Sequence, residues 1–233
     1  MKIFKKVLLI VFLFLMIIAS GLFGMSFYAY SEAKERLPID EMYTAVKESV
    51  TTYTEYEDID DDLIDAFVAV EDRRFFTRTG IDFIALGRAI FTNIISGSMQ
   101  EGGSTITQQL IKNTYFSYDR NLIEKLAEYF FIYDVEEAYS KYEILEMYIN
   151  TVNYGDGNFN VYDACHNYFD KDTDDLSVYE ASLLAGIPNS PANYQLSNDN
   201  PNTYKRQTHV LEAMLEEGYI TKSEYDEAIA LQP

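Results

Sequence analysis

Two adjacent carboxylates, Glu71 and Asp72, close the apolar run LIDAFVAV and lead into Arg73, Arg74, Phe75, Phe76, Arg78 and Gly80. A carboxylate at such an edge can lose solvent and serve as a general base. The same pair can equally lie exposed, neutralised by Arg73 and Arg74. A second block reads Gly102-Gly103-Ser104-Thr105-Ile106-Thr107-Gln108-Gln109-Leu110-Ile111-Lys112-Asn113. Glycines followed by a hydroxyl-rich helix start leave backbone N–H groups free for an anion. Gln108 and Lys112, one turn apart, fall on one helix face. The block is not a Walker A loop, because Lys112 follows Ser104 by eight residues. A plain glycine turn with an ordinary cap has the same composition. In a third block, Glu124, Lys125 and Glu128 stand at i,i+3 and i,i+4 spacing, either as functional charges or as a solvated, ion-paired face. The fourth, Ser140 to Asn150, has a Ser140/Glu143 capping box and an Ile144, Leu145, Tyr148 stripe, and its reading is structural.

The elements that must hold these residues are mostly helical. Leu63, Ala66, Phe67 and Val70 recur at helical spacing. Asp82 can cap a helix with apolar positions Phe83, Ile84, Ile90, Phe91, Ile94 and Ile95, and SGSMQEGG ends it. Further helices are expected from the Thr105/Gln108 capping box, over 122–138 and 140–150, over 177–186 and 202–217, and from the Thr221/Glu224 capping box. The Gly- and Asn-rich stretch 150–160 reads as irregular. A mainly α fold with a small β element follows.

Residues 7–30 carry no charge, and at ~1.5 Å per residue they span roughly 36 Å, enough for a ~30 Å hydrocarbon core. Lys2, Lys5 and Lys6 precede them, which keeps the N-terminus in the cytoplasm and puts the remainder outside. Tyr28 and Tyr30 are placed like interfacial anchors. The run is long for a cleaved signal and lacks a clean A-x-A site, so an uncleaved anchor is expected. The organisation is therefore a tail over 1–6, a membrane helix over 7–30, an acidic, Tyr-rich, solvated connector over 31–62, and one domain over 63–233.

The 233 residues hold 38 acidic and 18 basic side chains, for a net charge of −20. All the basic residues of the first thirty are the three lysines, so residues 31–233 carry −23. Such a chain is a poor partner for nucleic-acid phosphates. Its 48% hydrophobic and 15% aromatic content excludes disorder. One cysteine and two histidines exclude a disulfide framework and a zinc cluster, and Cys165 beside His166 reads as packing.

In order and spacing, the four blocks resemble the peptidoglycan glycosyltransferases (glycosyltransferase family 51), a domain of bifunctional penicillin-binding proteins and of monofunctional enzymes. The family's first motif, E-D-x-x-F-x-x-H-x-G, is matched from Glu71 to Gly80 except at the His. GGSTITQQLIKN is close to a complete match, and R-K-x-x-E aligns with Glu124 to Glu128. YEASLLAGIPNSPANY and RQTHVLEAMLEEGYIT look like the family's C-terminal part, so the likeness covers roughly residues 63–228.

The resemblance implies a lysozyme-like α-helical head, a smaller membrane-associated jaw to which the apolar 83–95 stripe is suited, and one N-terminal transmembrane helix. It implies that a growing glycan on a polyprenyl pyrophosphate is joined to lipid II by attack of the acceptor 4-hydroxyl, with inversion, giving a β-1,4 link. Glu71 would be the general base. Glu128 would assist at the pyrophosphate by orienting basic groups or through a divalent cation (Mg or Mn). Lys112 and Lys125 would neutralise the leaving group, helped by Ser104 and Gln109, with Asp72, Gln108, Asn113 and Arg78 completing the substrate-binding set. The implied partners are lipid II, the glycan strand, membrane lipids and other cell-wall synthesis proteins, with no nucleic acid. No penicillin-reactive S-x-x-K block follows, which fits the monofunctional type.

Three positions depart from the pattern: Arg78 replaces His, Glu124 replaces Arg, and Asn160 stands where Gly is common. Two outcomes are open: Arg78 supplies the positive charge that Glu124 removes, which is the favoured expectation, or Glu124 faces solvent and the site works with Lys112 and Lys125 alone. The competing readings are an impaired lipid II-binding protein and a lysozyme-like hydrolase with Glu71 and Glu128 as its acid pair. Lysines flanking the carboxylates favour a phosphate leaving group over a plain glycosidic one.

Overall fold

Helices carry most of the residues described in the computed structural model, which are 2–82, 104–116, 121–198 and 200–233. The expected 83–95 helix, its 96–103 break and Arg88 lie outside the described residues. No strand occurs among those described, so the small β element is not found there. The helices are α1 (Lys2–Arg36), α2 (Met42–Ser49), α3 (Asp61–Glu71), α4 (Ile106–Tyr115), α5 (Leu122–Ala138), α6 (Lys141–Ile149), α7 (Val161–Phe169), α8 (Val178–Gly186), α9 (Pro191–Tyr194), α10 (Pro201–Glu217) and α11 (Lys222–Ala230).

The expected membrane run is one continuous helix with six more residues at its C-terminal end. Phe4–Arg36 is long and apolar enough to cross a membrane. Residues 4–21 are exposed throughout. Beyond them α1 lies along α5. Phe23, Phe27 and Tyr30 surround Phe130 at centroid distances of 5.3, 5.6 and 5.6 Å. The Tyr30 hydroxyl and the Lys34 ammonium both donate to Asp134. Tyr28, read as an interfacial anchor, is 70% exposed. Tyr30 is not an anchor of that kind, because its ring and hydroxyl are committed to α5.

The segment expected to be a solvated connector is packed. Ile39, Met42 and Val46 recur at helical spacing and, with Ile59, are buried in the main core. Buried Glu146 of α6 binds the segment: Tyr43 and Tyr53 hydroxyls donate to its Oε1 at 2.8 and 2.7 Å, and the Tyr56 amide to its Oε2 at 2.8 Å. Asn150 adds a two-way bond to the Thr54 backbone, at 2.9 and 2.8 Å. Most acids of the segment are exposed, among them Glu32, Glu35, Asp40, Glu41, Glu48, Glu57 and Asp58, while its aliphatics Ile39, Met42, Val46 and Ile59 are buried.

At the centre, α3 buries Leu63, Ala66, Phe67 and Ala69 completely. It packs against α8 and α10, and Phe67 meets Tyr148 edge-on at 5.4 Å. The alanines allow the close approach. The Asp60 side chain caps α3 through the Asp62 amide at 2.9 Å and also accepts from the Leu176 amide at 3.0 Å. The predicted capping boxes at Thr105/Gln108, Ser140/Glu143 and Thr221/Glu224 all form. The 150–160 stretch is irregular as expected, turning through Gly155, Asp156 and Gly157 at positive φ. A Cβ on Gly155 would stand 2.4 Å from the Gln195 Cβ, so only glycine fits.

Candidate active site

Glu71 is the last residue of α3, and the two adjacent carboxylates go separate ways. Its Oε2 accepts from Gln109 Nε2 at 2.7 Å and its Oε1 from Arg206 Nη2 at 3.1 Å. Tyr148 donates to Gln109 Oε1 at 3.3 Å, which turns the amide so that its NH₂ faces Glu71. Arg206 reaches across α8, also donating from Nε to the Gly186 carbonyl at 3.4 Å. A Cβ on Gly186 would lie 3.1 Å from Arg206 Cγ, so the glycine keeps that passage open. A carboxylate offers about four lone-pair sites; two are used here, which leaves capacity for a substrate hydroxyl. Arg73 and Arg74 do not neutralise the pair. Arg73 bonds Glu216 and Glu217 at 2.9 and 3.3 Å, and Arg74 bonds Asp82.

Gln109 also lines a groove of about 320 Å³ with Lys112, Asn113, Val152, Phe159 and Pro188. Asn113 reaches the Thr151 carbonyl at 3.3 Å. Phe159, 61% exposed, presents an open ring to this groove. On α5, Lys125 Nζ donates to Ser104 Oγ at 2.8 Å and stands 3.2 Å from Glu128 Oε2. Glu128 is fully buried, whereas Lys125 is 32% exposed, so the pair fixes an ammonium whose outer side faces solvent.

Three expected binding residues have structural work instead. Asp72 and Arg78, with side chains 3% and 5% exposed, bind each other, so neither is placed to meet a ligand. Gln108 is buried; its Oε1 accepts from the Thr105 amide at 3.1 Å, which makes it the return arm of the α4 cap. Its Nε2 has no acceptor among the described residues.

Glu124 is likewise a capping residue. Its Oε2 accepts from the Asn121 amide at 3.0 Å at the start of α5, where the helix dipole favours a negative charge. The expected compensation by Arg78 is therefore not what the geometry shows: Arg78 is engaged with Asp72, and Glu124 with its own helix end. Asn160 caps α7 through the Asp163 amide at 2.8 Å with extended φ, so no glycine is required. Cys165 is fully buried, and burial pushes its thiol up to about 12, which removes it as a nucleophile.

No group of three or more His, Cys, Asp or Glu side chains gathers as a metal site among the described residues. Among the described residues around Glu128 are an ammonium and, through it, a hydroxyl, groups that suit an anion. Arg206 and Gly186 are not singled out by the sequence, although both lie inside its two C-terminal matching strings, and Tyr148 reads there only as part of a buried stripe.

Known proteins place the chain in a family. The transglycosylase family model matches residues 38–215, beginning within the packed connector. A monofunctional glycosyltransferase of Staphylococcus haemolyticus is 34% identical over 233 residues, covering 97% of this chain and 84% of that protein. Penicillin-binding protein 1F of Bacillus subtilis is 37% identical over 84% of this chain, and penicillin-binding protein 1A of Aquifex aeolicus 41% over 76%. The chain spans about a quarter of the length of these two, 25% and 24%. With the family model matching residues 38–215 and the monofunctional relative matched over 97% of this chain and 84% of its own length, the chain belongs to the transglycosylase family.

Proposed function

We propose that this chain is a membrane-anchored peptidoglycan glycosyltransferase that polymerises lipid II into β-1,4-linked glycan and releases polyprenyl pyrophosphate. The observation that carries the reading is Gln109, which holds Glu71 on one side and lines the Lys112 groove on the other. Glu71 takes the proton of the acceptor 4-hydroxyl as its oxygen bonds to the donor anomeric carbon. The bond from that carbon to the pyrophosphate oxygen breaks, and the configuration inverts. The departing pyrophosphate keeps the electron pair, so it needs cations rather than a proton donor. Lys112 and Lys125 meet that need, with Ser104 beside Lys125 and Glu128 holding Lys125 in place. No step is assigned to a metal. The lysines in the first turns of α1 orient the N-terminus to the cytoplasm and the head outward.

Purified protein incubated in detergent with labelled lipid II should give polymer, and preformed glycan should stay intact. Glu71→Gln keeps the shape but cannot accept the proton, and should lose roughly 10²-fold or more in turnover. Turnover near wild type in that variant removes Glu71 as the base. Cleavage of preformed glycan would point to a hydrolase instead.

A further inference from the structure

Behind Glu71 lies a buried ionic group that the reaction itself does not use. Arg78 Nε donates to Asp72 Oδ1 and Oδ2 at 3.2 and 3.0 Å, and Nη2 donates to Oδ2 at 2.6 Å. Its Nη1 donates to Glu136 Oε1 and to the Gly80 carbonyl, both at 2.7 Å, and Nη2 also reaches Thr107 Oγ1 at 3.3 Å. Glu136 accepts from Thr107 Oγ1 at 2.7 Å and from the Gly80 amide at 2.6 Å. Lys141 Nζ stands 2.8 Å from Glu136, and the Ile106 amide donates to Asp72 at 3.4 Å. The charged groups facing Arg78 are thus Asp72 at the end of α3, Glu136 of α5 and Lys141 of α6.

The arrangement joins the elements that carry the candidate site. Asp72 directly follows Glu71. Ile106 and Thr107 open α4, which bears Gln109 and Lys112. Glu136 lies on α5, which bears Lys125 and Glu128. Arg78 contacts residues of all three. We propose that Arg78 is a positioning residue: its guanidinium locks the end of α3 to α4 and α5, and so sets the base Glu71 in register with the lysines that receive the leaving group.

The chemistry of the side chain makes the lock unconditional. A guanidinium stays charged at every pH the protein meets and donates in a planar fork. Burial alone would push Glu136 up, but hydrogen bonds from Lys141 and Thr107 and the Arg78 charge outweigh it and hold the carboxyl below its usual range. A histidine at position 78 could close the same lock only while protonated. Two buried carboxylates would otherwise face Lys141 alone.

The inference rests on the proposed polymerase reading, so the test has one arm that needs turnover and one that does not. Arg78→Ala and Arg78→His are compared with the full chain in detergent, with folding checked by thermal melting. In Arg78→Ala, kcat on lipid II should fall about 30-fold or more while KM moves less than about threefold. Arg78→His should work within about threefold of the wild type at pH 6 and lose ground steadily toward pH 9, whereas the wild type shows no such loss. Should the alanine variant not fold, the pH-dependent ratio of Arg78→His to wild type decides, and a constant ratio overturns the proposal. Without any turnover, amide hydrogen exchange at Gly80 and Ile106 should rise about tenfold in Arg78→His between pH 6 and pH 9, relative to wild type. Unchanged exchange there overturns the lock even if lipid II proves not to be the substrate. An active wild type with a folded, equally active Arg78→Ala overturns the positioning role and leaves the polymerase reading standing.

Discussion

Replacing Arg206 by alanine tests whether the orientation of Glu71 matters to the reaction. The Arg206–Glu71 contact is 3.1 Å between side chains only 13% and 11% exposed, so solvent screens it little. A charge-assisted hydrogen bond in such a setting is worth roughly 1.5–3 kcal/mol. Without it Glu71 keeps one fixed partner, Gln109, and its carboxylate gains rotamers that aim away from the acceptor hydroxyl. If about 2 kcal/mol of that restraint is lost in the transition state, kcat falls roughly 30-fold, since about 1.4 kcal/mol is a factor of ten. Donor binding through Lys112 and Lys125 should be little affected, so KM for lipid II should stay within a factor of about three. Arg206→Lys retains a charge but cannot reproduce the fork to both Glu71 and the Gly186 carbonyl, so it should recover only part of the loss. Initial rates of polymer formation at varied lipid II concentration separate the two constants. A folded Arg206→Ala enzyme with kcat within twofold of wild type refutes the reasoning, and a selective rise in KM would move Arg206 from aligning the base to binding substrate.

Two further predictions concern stability. Glu146→Ala removes the acceptor of three hydrogen bonds that hold the tyrosine-rich segment, at a cost of about 3 kcal/mol by urea unfolding, whereas Glu146→Gln should cost about 1 kcal/mol; a loss under about 0.5 kcal/mol for alanine would mean the segment is not part of the folded unit. Burial, then Asp61 and Asp62, raise Asp65 to about 6, above its unfolded value of 3.8. The unfolded chain therefore releases this proton first, and Asp65 lowers stability as pH rises from about 4 to 6. Asp65→Asn should stabilise the head by about 1 kcal/mol at pH 8, after allowance for its partial exposure, and by nothing below pH 4. A gain of equal size at both pH values would show that charge is not the cause.

The elements that were legible in advance are those set by neighbours in sequence. Thr105 with Gln108, Ser140 with Glu143, and Thr221 with Glu224 needed only a three-residue spacing. Asn121 with Glu124 carries the same signal, yet the charge of Glu124 drew attention to the leaving group instead of the helix end it caps. The connector was misjudged because its run of acids hides Ile39, Met42 and Val46, whose spacing marks a buried helix face. Arg206 and Arg78 could not be placed by spacing at all. Their partners, Glu71 and Glu136, stand 135 and 58 positions away, and only the packing of α10 and α5 brings them together.

The joint between α1 and α5 turns the membrane helix into a ruler. Residues 4–21 touch only their surroundings and need only be apolar, whereas Phe23, Phe27, Tyr30 and Lys34 fall on one stripe that grips the head. Each residue inserted between these two stretches leaves the grip intact but lifts the cleft about 1.5 Å and turns it about 100° relative to the lysines at the N-terminal end. Length and phase before Phe23 are therefore coupled to the height and facing of the groove relative to the apolar stretch of the helix. An anchor borrowed from another protein would serve only if it brought the right number of residues to that stripe.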